Sequence, residues 1–161
     1  MKFGLLNLLG IPNANGIKFP SVQVPSADVN TLDWYKEGTF VPTLTFGGGS
    51  TGMTYNTQYG AYTRIGNLVH VEIIIILTAK GSSTGNALIS TLPFTTNSVG
   101  QTGAIYFENV SYTGSVLVYL GGSATTINLE QLVEAGTSSA ITHANFANNS
   151  YLNIVLSYIA T

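Results

Sequence analysis

The 161-residue chain contains no cysteine. That excludes a disulfide framework and a thiolate metal site. Charge is also scarce. Asp, Glu, Lys and Arg together make 7% of the residues, against about 25% in ordinary soluble domains. Only five residues are basic, and none follows Lys80. Nucleic acid demands clustered Lys and Arg, so it is not an expected partner. Hydrophobic residues reach 45%, yet no stretch approaches the roughly 18 apolar residues of a membrane helix. No membrane span is expected. Ser, Thr, Asn and Gly supply about 40% of the chain. A surface built from them is neutral and tolerates changes of pH and salt.

Chemistry-bearing motifs are few. Gly47, Gly49 and Gly52 match G-x-G-x-x-G, but Met53-Thr54-Tyr55 follows and is strand-like. A dinucleotide fingerprint needs a helix there, so the glycines read as a hairpin loop and no cofactor is expected. Asp28, Asp33 and Glu37 do not form a D-x-D calcium loop, and no metal is expected. The strand region carries four carboxylates: Glu72, Glu108, Glu130 and Glu134. Glu130 and Glu134, four residues apart on a strand, sit about 13 Å from each other. That is too far for glycoside hydrolysis within one chain. His70 and His143 are the two imidazoles. Glu72 lies two residues from His70 on one strand face, and an interface hydrogen bond explains that pair more simply than a catalytic triad. No catalytic residue is assigned.

What the chain does have is β-pattern. From Leu68 to Lys80 it carries Val71, Ile73, Ile74, Ile75, Ile76 and Leu77. Ile74 and Ile76 point to one face, and Ile73, Ile75 and Leu77 to the other. A strand with one wet face alternates apolar and polar residues, so both faces of this one need cover. A second sheet covers one. Another copy of the same chain is the simplest cover for the other, which makes Ile73, Ile74, Ile75 and Ile76 the candidate subunit-interface residues.

Two segments follow from composition. Residues 1–38 hold Pro12, Pro20 and Pro25, with Pro42 just beyond, and three of the five basic residues. They read as an extended arm, with a helical turn at Asn30–Glu37 capped by Asn30 and stopped by Gly38. Gly4, Asn7 and Pro12 interrupt its apolar start, so a secretory signal is not expected. Phe3, Leu5, Leu6, Leu8 and Leu9 read instead as a docking peptide. Residues 39–161 alternate short β-runs with Gly-rich turns. Strands are expected near 39–46, 53–55, 60–65, 68–79, 87–92, 104–113, 115–120, 125–133 and 151–160, with Gly66-Asn67 as a two-residue hairpin turn. A short helical turn is expected within Thr137–Ala147. The expected fold is all-β: an antiparallel, jelly-roll-like β-sandwich. Tyr106, Glu108 and Tyr112 are expected on one face of one strand, with Tyr119 on the next. Tyrosine combines a flat apolar ring with a hydroxyl, which suits glycan binding.

Three segments together resemble the terminal β-sandwich domains of bacteriophage tail fibres and tailspikes: GIKFPSVQVPSADVNTLDWYKEGTFVPTLTFGG at 16–48, YGAYTRIGNLVHVE at 59–72 and LTAKGSSTGNALISTLPF at 77–94. The resemblance implies a homotrimer on the virion surface, bound to other virion proteins through its arm and to a host-surface glycan or receptor. It carries over no fixed binding residues. Trp34 departs from an acidic residue common in similar sequences, and the short arm favours a small spike, tip or decoration protein over a complete tailspike. Two other readings remain at this point: a purely structural trimerising protein, and a glycan hydrolase with an inter-subunit site.

Overall fold

Ten strands and no α-helix make up the described residues, 19–133 and 136–161, of this computed structural model. Phe3, Leu5, Leu6, Leu8, Leu9 and Glu134 lie outside them. The strands are β1 (Tyr35–Phe40), β2 (Thr43–Phe46), β3 (Met53–Ile65), β4 (Leu68–Lys80), β5 (Ala87–Ser90), β6 (Gln101–Val110), β7 (Ser115–Leu120), β8 (Ile127–Leu132), β9 (Ser138–Ala140) and β10 (Phe146–Ile159). The described pairings are all antiparallel, in the order β1-β3-β4-β10-β6-β7-β8-β5-β2, with β9 beside β8. This is the expected all-β sandwich, formed by one sheet that curls over itself.

Strand β6 makes the curl. Ala104–Glu108 pair with β10, whereas Gln101–Gly103 pair with β7 of the other layer. Gly103 stands at the crossing. A Cβ there would meet the Val155 carbonyl oxygen at 2.8 Å, so only glycine lets the strands cross this closely. The opposite corner is closed by chain continuity. Strands β1 and β2 end the sheet on either side, yet only Val41 and Pro42 separate them in sequence. Pro42 cannot donate to a ladder, so the expected single strand 39–46 breaks there. Side chains of β3 bridge this corner: Gln58 Nε2 donates to Pro42 O (2.9 Å) and Tyr55 Oη to Leu44 O (3.2 Å).

Alternation along β4 fixes the layers. Val69, Val71, Ile73, Ile75 and Leu77 are buried between them. They meet Leu44, Phe46, Ile89, Leu120, Ile127, Leu129, Leu152, Ile154 and Leu156 in one core. Each fully buried aliphatic side chain contributes about 1.5–3 kcal/mol. The four-residue isoleucine set therefore splits. Ile73 and Ile75 belong to the core, and Ile74 and Ile76 sit half-buried on the outer face.

One local expectation is corrected and another is met. No helical turn forms at Asn30–Glu37. Asp28 Oδ1 accepts from the Asn30 amide (2.9 Å) in a side-chain turn, and β-structure begins at Tyr35, inside the segment read as arm. Near residue 140, Ser138–Ala140 pair with β8 as a strand. The helical turn expected within Thr137–Ala147 is present as the 3-10 turn His143–Asn145, capped by Thr142 rather than by Ser138 or Ser139; Asn145 Oδ1 accepts from the Thr142 amide (2.8 Å).

Candidate functional site

The outer face of the β3-β4-β10-β6 layer holds Tyr106, Glu108, Ile74 and Ile76 of the candidate residues. The pairing registers set Tyr59, Ile74, Asn153 and Tyr106 in one row across it, and Thr57, Ile76, Tyr151 and Glu108 in the next. Tyr106 is thus two strands from Ile74, about 10 Å away. The face is unusually apolar for an exposed surface: Tyr59, Ile65, Leu68, Tyr106, Val155 and Ile159 are all exposed on it.

Tyr106 and Glu108 form a fixed pair. Tyr106 Oη donates to Glu108 Oε1 at 2.7 Å. Its ring stands against Tyr151, with centroids 5.9 Å apart and planes at 67°. The hydrogen bond to Glu108, with the negative charge behind it, raises the Tyr106 pKa above the ordinary phenol value. The phenol therefore stays neutral, and the carboxylate keeps lone pairs free for other donors.

Tyr112 does not share their face, contrary to expectation. β6 ends at Val110, and Asn109 before it takes φ 56° beside a register shift between β6 and β10. Ser150 Oγ holds this irregularity, donating to Asn109 O (2.7 Å) and accepting from the Ala147 amide (2.9 Å). A bulge changes which face the following residues take. Tyr112 consequently packs edge-on against the inward-facing Phe107, with centroids 4.8 Å apart and planes at 85°.

The bulge nevertheless brings Tyr106 and Tyr112 to one cleft. β6 and β7 pair only as far as Gly103–Val118 and then diverge. The gap between them is a cleft of about 350 Å³, lined by Ile105, Tyr106, Phe107, Tyr112, Ser115 and Val116. Tyr119 faces outward from β7 opposite Thr102 and does not line it. Glu130 is half-buried on β8 between Leu117 and Ala140, away from the cleft.

His70 and Glu72 lie side by side on the outer face, with Nε2 and Oε1 3.9 Å apart. A partner not named from the sequence joins them: Ser157 Oγ is 3.0 Å from His70 Nδ1. The only clue to it was the alternation of β10, which required the register as well. A shallow cavity of about 170 Å³ adjoins the row. At His70, β4 is paired on both sides, by β3 and β10, whereas the ladder between β10 and β6 stops at Val155, short of Ser157. Among the described residues no cluster of three or more His, Asp or Glu could hold a metal ion. The Gly47–Gly52 loop opens directly into β3 rather than a helix, so the arrangement a dinucleotide needs is absent there.

No family model matches the chain, and no curated protein sequence does. Among solved structures, the crystal structure of the Dettilon tailspike protein (gp208) is similar in fold, with a TM-score of 0.66 and 18% identity. The match covers 79% of this chain and 24% of that one, so this chain spans about a quarter of the tailspike's length. The tyrosine cleft and the half-buried isoleucines are thus carried on a fold that a phage tailspike also uses.

Proposed function

We propose that this is a bacteriophage virion-surface protein, a spike or fibre-tip component, that assembles as a homotrimer and attaches to host-surface glycan. The observation that carries this reading is the exposed Tyr106–Glu108 pair beside an aromatic cleft, on a fold shared with a tailspike. A flat ring next to a carboxylate provides stacking and hydroxyl acceptance together, which is how sugars are bound. Ile74 and Ile76 serve the contact between copies, and the part of the arm before Trp34 serves docking to other virion proteins. No catalytic role is assigned. The test is binding to a panel of bacterial surface polysaccharides. Tyr106→Ala should lose binding while keeping the melting temperature, since Tyr106 is 59% exposed. Equal binding by the variant sinks the glycan assignment.

A purely structural role is the second reading. The exposed row Ile65, Leu68 and Ile159 favours it, because contiguous exposed apolar surface marks a protein contact. A trimer that binds no polysaccharide in the panel selects this reading. Removing residues 1–30 tests the docking segment: the trimer should persist, and incorporation into particles should cease.

A further inference from the structure

The cleft between β6 and β7 differs in chemistry from the rim above it. Its floor is the edge of the core: Ile105, Phe107 and Val116 pack against the core yet stay half-exposed there. Tyr112 stands perpendicular to Phe107 and forms an aromatic wall. Tyr106, which lines the cleft, donates its hydroxyl to Glu108 on the adjoining outer face. One nearby amide is spent: Thr113 N donates to Gln131 Oε1 at 3.0 Å.

Among the described residues no basic side chain lines this site. Each described basic residue is engaged elsewhere. Lys36 lies over the Phe94 ring, Arg64 is buried against Trp34, and Lys80 Nζ donates to His143 O. None lines the cleft. An anionic ligand would bring its charge to Glu108 with no counter-charge, and like charges this close repel.

Resting on the glycan-binding reading above, we propose that the cleft is a subsite for a neutral sugar bearing a methyl group, on a 6-deoxy carbon or an N-acetyl substituent. The methyl group enters between Tyr112 and Val116 onto the apolar floor. The ring hydroxyls stay at the rim and donate to Glu108. Sugars carrying a carboxylate are excluded. A volume of about 350 Å³ lies at the small end of ligand pockets and fits one residue of a glycan rather than a long stretch.

Saturation-transfer NMR on the full chain tests this. The probes are the methyl glycosides of rhamnose, N-acetylglucosamine, glucose and glucuronic acid. The two methyl-bearing sugars should bind about tenfold better than glucose, with the strongest saturation on the methyl protons, and glucuronate should give no signal. Glu108→Gln, at an exposed position, should admit glucuronate while leaving the preference for methyl-bearing sugars. Tyr112→Ala should abolish that preference. If glucuronate binds as well as glucose, or methyl protons saturate no more than ring protons, the subsite is wrong although glycan binding stands. If none of the four binds to millimolar concentration, both the subsite and the glycan reading fail.

Discussion

The guanidinium of Arg64 lies 3.7 Å from the centroid of the Trp34 ring and 4.7 Å from that of Phe94. It is 1% exposed. Its Nε donates to Gly66 O at 2.8 Å. Burial pushes its pKa below the ordinary guanidinium value, but arginine remains cationic in proteins. The stack therefore binds the segment before β1 to the loop after β5 through one cation. Arg64→Ala should cost about 3 kcal/mol in urea denaturation. Arg64→Lys should recover less than half, because an ammonium has neither the planar fork nor the stacking face. Trp34 is the chain's one tryptophan, so a red shift of its emission in both variants reports loss of the stack directly. Unchanged emission in Arg64→Ala contradicts it.

Adjacent isoleucines should behave oppositely. Ile75 is 0% exposed in the core, so Ile75→Asp buries an unpaired carboxylate and should unfold the chain. Ile74 is half-buried on the outer face. On the proposed trimer, Ile74→Asp should keep the β-type circular dichroism and lower the mass in sedimentation to that of a monomer. Wild-type protein that sediments as a monomer at micromolar concentration removes the basis for this contrast.

Gly114, in the turn between β6 and β7, has φ 79°. A Cβ there would overlap the Leu132 carbonyl oxygen, which is backbone and cannot swing away. Gly114→Ala should lose at least about 2 kcal/mol, since steric overlap adds to the left-handed strain. A loss below about 0.5 kcal/mol in thermal unfolding would show that the turn relaxes freely.

Tyr158 gives the fold an alkaline limit. Burial pushes its pKa up to about 12, against about 10 in the unfolded chain. The folded state thus holds its proton more tightly. That contribution is fully present below pH ~10 and is lost as pH rises towards ~12. Its hydroxyl donates to Phe94 O at 3.1 Å. Tyr158→Phe should cost about 1 kcal/mol at pH 7 and flatten the fall in stability between pH 10 and 12. An unchanged alkaline slope assigns that slope to other tyrosines.

Much of the architecture is legible in the residues. Leu68–Lys80, the Gly66-Asn67 turn and Ser115–Leu120 follow from local alternation and turn chemistry, and all three are present. What local pattern cannot supply is register between distant strands. Ser157 reaches His70 only because β10 pairs with β4 at that offset. Tyr112 left its expected face because Asn109 adopts a positive φ without being glycine. The run 53–65 looked like two strands, yet the shifts around Tyr55 bend one continuous strand without ending it. The expected helical turn at Asn30–Glu37 lost to the cross-strand pairing of Tyr35–Glu37 with β3.

The placement of β10 has a consequence for synthesis. The last strand in sequence is central in its layer, hydrogen-bonded to β4 on one side and β6 on the other. As the chain leaves the ribosome, β3–β4 and β6–β8 are separate pieces with no ladder between them. The gap between β4 and β6 stays open until β10 fills it. Filling that gap depends on pairings distant in sequence, which are slow to form. A nascent chain in this state is prone to aggregate. A chain cut before β10 lacks the strand that joins β4 to β6.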